Sequence, residues 1–449
     1  MAAFSSAPAF GTVPLTVNFT DASTGSPAGW AWFFGDETYT QPWTEQTASA
    51  GWSRRNYARS VAMPDGSIVL MGGFSGRTYL NDTWRSTDEG VTWTQQNPSS
   101  GWSARVEQNC VVMPDGSIVM MGGAAPGGTY LNDTWRSTDS GKTWTLVNAS
   151  SGWAARVSHA SVAMPDSSIV LMGGYDGSIP RNDVWRSTDY GVTWTQLPNA
   201  AWSPRSYLTA VVMPDRSIVL MAGVDSDGNA KNDVWRSTDN GATWTEMNAS
   251  PGWLDRRWHG SVAMPDGSIV LMGGDEGENT GNDVWRSTDN GATWTQLPNA
   301  GWSARSRLSS VAMPDGSIVM MGGGGLNDTW RFQPAGSSQQ NSSHTYTTTG
   351  IYSVALQAFN AAGYSSTRKI SVAVAPMPSV PTAGNAPRDL TGDGLYEDVN
   401  GNGALDFNDV VLYVNQMDWI ADNEPVGAFD FNRNGQIDFN DIVVLFNEL

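Results

Sequence analysis

Two twelve-residue segments near the C-terminal end carry acidic and amide side chains at alternating positions. The first starts at Asp398, the second starts at Asp430, and each has a glycine at its sixth position. Calcium prefers six to eight oxygen ligands, which alternate side chains of a tight loop supply. We therefore predict two calcium sites, with side-chain ligands at loop positions 1, 3, 5, 9 and 12 and a backbone carbonyl at position 7. The predicted ligands are Asp398, Asn400, Asn402, Ala404, Asp406 and Asp409 in the first loop and Asp430, Asn432, Asn434, Gln436, Asp438 and Asp441 in the second.

A shorter acidic segment, DLTGDGLYED, precedes the first loop and has a truncated form of the same spacing. It offers Asp389, Thr391 and Asp393 as further ligands. Our hypothesis is a third calcium site, fused to the first, that uses Asp389, Asp393 and Asp398.

Each loop leads into a short apolar segment, DVVLYVNQ or DIVVLFNEL, and ends in Asp rather than Glu. This duplicated loop and helix resembles a dockerin, whereas a full EF-hand has helices on both sides of its loop. The resemblance covers residues 389–449 and implies binding to a cohesin-like domain of another protein. Binding to another copy of this chain is an alternative, because nothing in the sequence separates the two. A third interpretation is that calcium only folds this small module.

The rest of the chain is dominated by a repeat of about 50 residues. The triplet Met-Pro-Asp starts at Met63, Met113, Met164, Met213, Met264 and Met313. Each unit predicts four short strands, and its second strand is continuously apolar, as expected for a strand covered on both faces. The sixth unit lacks its fourth strand, and the segment PWTEQ at residues 42–46 can replace it. We therefore predict a closed six-bladed β-propeller over residues 42–333.

The pair GG followed by NDxW resembles a kelch-like propeller. The turn WRSTDEGVTW resembles the Asp box of sialidase-type propellers, with Ser86, Asp88, Gly90, Thr92 and Trp93 at the shared positions. We expect Asp88 to cap backbone N–H groups in this turn and Gly90 to adopt a positive φ.

Residues 1–41 and 334–376 alternate apolar and polar side chains, as strands of a β-sandwich do. The motifs WAWFFGD and SHTY resemble the polycystic-kidney-disease (PKD) type of immunoglobulin-like sandwich, although Phe33 replaces the usual polar residue. Residues 377–388, rich in Pro, Ala and Gly, form the predicted linker. The predicted fold is therefore mainly β: a six-bladed propeller inserted in an Ig-like sandwich, plus a small α-helical calcium-binding module.

One face of the predicted propeller carries variable loops, and we expect a ligand there. Tyr57, Tyr207, Trp258 and His259 offer stacking and hydrogen bonding for sugar rings or a peptide. An acidic group that could hold a cation consists of Asp225, Asp227, Asp275, Glu276 and Glu278. Unconstrained drift of the loops is the alternative explanation. The arginines that recur three residues after each repeated GW or AW tryptophan are expected to bridge blades instead of binding substrate.

The net charge of −19 disfavours nucleic acid as a partner. No segment is long and apolar enough to span a membrane, and the first residues lack a signal-peptide pattern. The combined units resemble secreted surface proteins of methanogenic archaea. We expect an extracellular, non-catalytic protein that attaches to its partner through calcium. The alternatives are a self-assembling filament subunit and a sialidase-type glycoside hydrolase, which needs a tyrosine nucleophile, a carboxylate and arginines outside the repeat.

Overall fold

The computed structural model describes residues 1–277, 279–334, 336–360, 363–364 and 367–449. Strands dominate this part of the chain, and the helices lie near its C-terminal end. The strands before the repeats are β1 (Phe4–Ala7), β2 (Phe10–Thr12), β3 (Leu15–Asp21) and β4 (Gly29–Phe33).

The repeats form six antiparallel sheets, here called blades 1 to 6. The strands of the latch and of blades 1 and 2 are β5 (Thr44–Thr47), β6 (Arg59–Ala62), β7 (Ile68–Phe74), β8 (Tyr79–Ser86), β9 (Thr94–Asn97), β10 (Asn109–Val112), β11 (Ile118–Ala125), β12 (Thr129–Ser137) and β13 (Thr145–Asn148). Blades 3 and 4 contain β14 (Ala160–Ala163), β15 (Ile169–Met172), β16 (Val184–Ser187), β17 (Thr195–Leu197), β18 (Arg205–Ser206), β19 (Thr209–Val212), β20 (Ile218–Asp225), β21 (Ala230–Ser237) and β22 (Thr245–Asn248). Blades 5 and 6 contain β23 (Gly260–Ala263), β24 (Ile269–Glu276), β25 (Asn279–Ser287), β26 (Thr295–Leu297), β27 (Ser309–Ala312), β28 (Ile318–Gly323) and β29 (Leu326–Phe332).

The six blades form a closed ring. Their first strands, β6, β10, β14, β19, β23 and β27, contact one another in sequence, and β27 contacts β6. Strand β5 is the outermost strand of blade 6, where Glu45 pairs with Trp330 of β29. The predicted latch is therefore confirmed, and it covers the edge that β29 would otherwise expose.

Apolar side chains of the second strands fill the space between adjacent blades. Ile169 and Leu171 of β15 are fully buried and belong to one cluster with Val119 and Met121 of β11. Trp153, which precedes blade 3, is 1% exposed in the same cluster. Burial on both faces explains why these strands read as continuous apolar runs.

The recurring arginines connect neighbouring blades through backbone hydrogen bonds, whereas their side chains, which we expected to bridge blades, bind within a single blade. The backbone N–H of Arg156 donates to Leu131 of blade 2 at 3.0 Å. Its guanidinium donates to both carboxylate oxygens of Asp183 in blade 3, at 2.6 and 2.8 Å, and to the Gly173 carbonyl at 2.8 Å. This side chain is fully buried, so its charge is balanced inside the fold.

The turns between third and fourth strands have the expected hydrogen bonds. Asp88 accepts the backbone N–H of Thr92 at 2.9 Å, and Ser86 Oγ accepts that of Gly90 at 2.9 Å. Gly90 has φ +93°, but Glu89 also has a positive φ of 58°. The repeated polar residues therefore stabilise the turn through hydrogen bonds to its backbone. The resemblance to the Asp box stays a prediction.

The segments on either side of the repeats meet in two further sheets. The later strands are β30 (Ser342–Tyr346), β31 (Gly350–Asn360), β32 (Gly363–Tyr364) and β33 (Arg368–Ala375). One sheet has the order β1-β3-β30, and the other has the order β2-β33-β31-β32 with β4 paired to β31. Both sheets combine strands from before and after the propeller, as the predicted insertion requires. The assignment to the PKD type stays a prediction.

Phe33 departs from the PKD pattern because it packs against the propeller. Its ring is 2% exposed and belongs to one hydrophobic cluster with residues of blades 5 and 6. A Cβ on Gly316, in the Met-Pro-Asp-Gly turn of blade 6, would lie 2.7 Å from this ring. Tyr39 also donates to Asp266 in the corresponding turn of blade 5, at 2.9 Å. A carboxylate at position 33 would be buried there without a cation.

The C-terminal module contains α1 (Phe407–Asn423), α2 (Val426–Phe429) and α3 (Phe439–Asn447). The predicted linker does not behave as a free tether. Met377 is 3% exposed and Val380 is 1% exposed, and both belong to the hydrophobic cluster that joins the two sheets to the module. The Pro-rich composition favours an extended chain, but these two apolar side chains bury it against its neighbours.

Candidate functional site

The first calcium loop is held by two buried aspartates. Asp398 accepts the backbone N–H groups of Asn402 and Gly403, at 2.9 and 2.6 Å. Asp409 accepts those of Asn400 and Asp406, at 2.9 and 2.8 Å. Both aspartates are fully buried.

The second loop repeats this arrangement. Asp430 accepts the N–H groups of Asn434 and Gly435, and Asp441 accepts those of Asn432 and Asp438. Gly435 has φ +90° and its counterpart Gly403 has φ +95°, so glycine at position 6 serves the turn as predicted. Asp406 and Asp438 also cap the N-termini of α1 and α3.

The charges of these loops fit a divalent cation. Burial raises the pKa of Asp409, and the neighbouring carboxylates of Asp398 and Asp406 raise it further. Burial likewise raises the pKa of Asp441, with Asp430 and Asp438 as additional causes. Within the described chain, no Lys or Arg pairs with the aspartates at positions 1 and 12 of either loop. A calcium ion would supply the positive charge that this donor set lacks. The individual ligand assignments, including the carbonyls of Ala404 and Gln436, stay predictions.

The upstream segment forms a cluster that differs from the predicted one. Carboxylate oxygens of Asp389, Asp393 and Glu397 lie within 4.8 Å of one another. Asp398, the third carboxylate of our hypothesis, instead binds N–H groups of the first loop. Thr391 donates to Glu397 at 2.8 Å. Sequence reasoning missed Glu397, although it stands eight residues after Asp389, at position 9 of the truncated loop.

On the propeller, one position of each blade contributes to a ring around the central axis. The position lies five residues after the repeated tryptophan, and its occupants are Tyr57, Glu107, Ser158, Tyr207, Trp258 and Arg307. All six have left-handed backbones, with φ between 54° and 61°. Because five different residue types share one backbone geometry, the scaffold and not the side chain determines that geometry. We call this set the axial ring.

The axial ring lines a small depression that is open to solvent. The ring precedes the first strands of the blades, and the Met-Pro-Asp turns follow them. Since those turns contact the two-sheet unit, the depression opens on the opposite, variable face. Ala58, Arg59, Leu208, Thr209, His259 and Leu308 complete the lining.

Aromatic rings and guanidinium groups meet in this depression. Trp258 contacts Tyr207 and Tyr57, with ring centroids 4.8 and 6.2 Å apart. The guanidinium carbons of Arg307 and Arg257 lie 4.1 and 4.4 Å from the Trp258 ring centroid. Arg307 Nε also donates to the Tyr57 hydroxyl at 2.6 Å.

Glu107 is the carboxylate of the axial ring. It accepts a short hydrogen bond from Ser158 Oγ. Burial raises the pKa of Glu107, and the hydrogen bond and the charges of Arg59 and Arg307 oppose this rise. The predicted ligand residues were aromatic side chains and a histidine, so the prediction omitted Glu107, Ser158 and Arg307. The recurring position itself was the available signal.

The structure brings three of the four predicted ligand residues, Tyr57, Tyr207 and Trp258, together as half-buried rings. The fourth, His259, is 4% exposed and makes a 2.7 Å hydrogen bond between Nε2 and Thr209 Oγ1. Burial lowers the pKa of His259 to about 3, so its imidazole is neutral at neutral pH.

The predicted acidic group is not assembled into one cluster among its described members. Asp225 pairs with Lys231 at 2.7 Å, and Glu276 pairs with Arg256 at 3.1 Å. Asp275 lies 3.9 Å from Arg257 and 3.7 Å from Arg307. The backbone N–H of Asp227 donates to Asp225, and its own side chain is exposed. Glu278 lies outside the described residues.

Comparison with known proteins agrees with two of the three predicted units. Residues 158–351 match the family described as the KLHDC2/KLHL20/DRC7 Kelch-repeats domain. Residues 396–449 match the family described as the dockerin type I domain. No curated protein matches the chain. The chain therefore has a kelch β-propeller domain and a small C-terminal helical dockerin region.

Proposed function

We propose that this chain is an extracellular, non-catalytic attachment protein whose C-terminal module binds a cohesin-like domain when calcium is bound. Dockerin type I modules bind calcium and cohesin partners, which supports the calcium-dependent attachment. The kelch propeller is then the binding platform that the module carries. Within the described residues, no helix is long and apolar enough to cross a membrane.

The observation that carries this proposal is a duplicated apolar stripe on the surface of the module. On α1, Phe407, Val411 and Val414 are 60%, 41% and 47% exposed. On α3, Phe439, Val443 and Phe446 are 63%, 46% and 52% exposed. Both sets have the spacing i, i+4, i+7, which places them on one helical face. The Phe407 and Phe446 rings lie 6.4 Å apart, so the stripes meet in one surface. Exposed apolar surface of this kind marks a protein interface.

The axial ring supports binding over catalysis. Burial raises the pKa of Tyr57 and raises that of Tyr207 to about 12, which disfavours either phenolate as a nucleophile. Tyr57 is hydrogen-bonded to Arg307 instead of a carboxylate base.

The test measures binding of the full chain to a panel of cohesin domains, with calcium and with chelator. We expect binding only in calcium, and the double substitution Phe407→Asp/Phe439→Asp is expected to weaken it at least tenfold, a typical loss for buried aromatic anchors. Phe10→Asp is the matched control, because Phe10 is 77% exposed but lies outside the module. Undiminished binding in chelator would contradict the proposal.

Light scattering and calcium titration complete this test. A calcium-dependent rise in mass that Phe407→Asp/Phe439→Asp abolishes would identify a second copy of this chain as the partner, in place of a cohesin. The titration also counts bound calcium. Two ions correspond to the two loops, and a third ion that Glu397→Gln removes would assign the upstream cluster.

A further inference from the structure

The axial ring differs in charge from the rest of the molecule. The chain has a net charge of −19. Among the described residues around the depression, however, the guanidinium groups of Arg59, Arg257 and Arg307 face two carboxylates, Glu107 and Asp275. None of these arginines belongs to the recurring set that bridges the blades. A cationic depression in an acidic protein favours an anionic ligand, because the rest of the protein surface repels anions.

The guanidinium groups of Arg257 and Arg307 are available to a ligand in the depression. The distances of 3.9 and 3.7 Å from Asp275 to Arg257 and Arg307 are too long for strong hydrogen bonds. The indole Nε1 of Trp258 is buried and has no hydrogen-bond partner among the described residues. The same is true of the six repeated tryptophans, so the guanidinium groups are the donors that a ligand can reach. A carboxylate is the planar acceptor that matches guanidinium groups best.

Aromatic side chains extend from the depression across blades 1 to 3. Tyr57 belongs both to the axial ring and to a cluster on β7, β8, β12 and the following blade. Phe74 and Tyr79 lie 5.4 Å apart in this cluster, and Tyr130 and Tyr175 lie 6.1 Å apart. All four are half-buried, so part of each ring faces solvent. We call this surface the aromatic crest.

We propose that the axial ring binds the terminal residue of an acidic polysaccharide, a sugar that carries a carboxylate, and that the following sugars lie along the aromatic crest. The carboxylate binds Arg257 and Arg307, and the hydroxyl groups bind Glu107 and Tyr207. Apolar sugar faces pack on the tyrosine rings. Because residues of all six blades surround the depression, it accepts the end of a polysaccharide chain more readily than the middle of one. A peptide terminus fits less well, because the ring has no amide side chain to pair with peptide groups.

This inference deepens the platform role within the proposed function, but it depends on a different part of the molecule. The experiment is calorimetric titration of the full chain with oligosaccharides of galacturonic, glucuronic, mannuronic, guluronic and sialic acid. Neutral oligosaccharides of galactose, glucose and mannose are the matched ligands. Chelator is present throughout, so that calcium cannot bridge an anionic sugar to an anionic protein. We expect at least one acidic oligosaccharide to bind, and its neutral counterpart to bind at least tenfold more weakly.

Two variants locate the site. Arg307→Gln is expected to weaken the binding of the acidic oligosaccharide about tenfold or more, which is typical for a charge-assisted hydrogen bond. Arg216→Gln is the control. Arg216 is exposed in the turn between β19 and β20, on the opposite face, and its φ of 69° resembles the 61° of Arg307. Tyr207→Phe retains the aromatic ring, removes the hydroxyl group, and is expected to weaken binding several-fold.

The outcomes separate this inference from the proposed function. Failure of every acidic oligosaccharide, or equal weakening by Arg307→Gln and Arg216→Gln, would overturn the inference and leave cohesin binding unaffected. Binding of peptides with free C-terminal carboxylates in their place would also overturn it. Cleavage of a bound oligosaccharide would support the ligand class but contradict the non-catalytic role.

Discussion

At the residue scale, Phe33 shows that a residue departing from a motif can do so because it packs against a neighbouring unit. Position 33 carries an aromatic ring because the turn containing Gly316 covers it. The sequence showed only that Phe33 replaces the usual polar residue of the motif that it resembles, whereas the structure shows a contact between two units. The side chain that differs from the motif is therefore one of those that join the two units.

Replacing Phe33 with Asp should separate these units. The substitution removes a buried ring and leaves a carboxylate without a partner, so we expect a loss of about 3 kcal/mol or more. The measurement is denaturant unfolding followed by tryptophan fluorescence. Phe10→Asp, on an exposed position of the same two-sheet unit, should change the unfolding midpoint little. Equal midpoints for the two variants would show that the contact does not stabilise the fold.

At the scale of the structural elements, each blade is joined to the next by apolar packing and by the backbone of an arginine whose side chain is buried in its own blade. Arg156 combines a backbone hydrogen bond to blade 2 with a side-chain ion pair in blade 3. An ion pair at this depth does not necessarily exceed its own desolvation cost. Removing one partner is nevertheless costly, because the other charge stays buried.

Arg156→Met is therefore expected to destabilise the propeller by about 3–5 kcal/mol, because Asp183 loses its cation. Arg186 provides the matched control in the same blade. Its pair with Asp166 has a distance of 2.7 Å, but the two side chains are 31% and 44% exposed. Arg186→Met should cost about 0–1 kcal/mol. Thermal unfolding of both variants tests the difference, and similar losses would refute the structural importance of the buried pair between Arg156 and Asp183.

The sequence predicted those elements whose pattern repeats. Six copies of Met-Pro-Asp and the orphan strand at Glu45 were enough for the blade number and the latch, because each blade needs four strands. In the axial ring, by contrast, the position repeats while the side chains differ, so a search by residue type found Tyr57 and missed Arg307. Glu397 was missed although its spacing from Asp389 was visible in the sequence. The contacts of Val380 depend on how distant segments pack, and no local spacing encodes that packing.

At the scale of the whole molecule, the propeller, the two-sheet unit and the C-terminal module are in continuous contact. Val380 packs in the hydrophobic cluster that joins the two sheets to the module. Asn385 and Ala386 lie against the first calcium loop, where a Cβ on Gly401 would come within 2.7 Å of either residue. The orientation of the module is thus fixed by packing and not left to a flexible tether.

Val380→Asp should release the module, because it places a charge among buried apolar side chains. We expect a larger radius of gyration in small-angle scattering with calcium present, while the calcium stoichiometry stays the same. Ser379→Asp introduces the same charge at the adjacent exposed position and should leave the radius unchanged. An unaltered radius for Val380→Asp would show that the contact does not hold the module in place.

The left-handed backbone shared by the six positions of the axial ring has an evolutionary consequence. A tyrosine, a glutamate, a serine, a tryptophan and an arginine already occupy these positions within one chain without changing the backbone. Mutations there can therefore alter selectivity without first needing a compensating change in the fold. Descendants of this gene can diversify what they recognise while inheriting the blades unchanged, and selection can act on six side chains almost independently of stability.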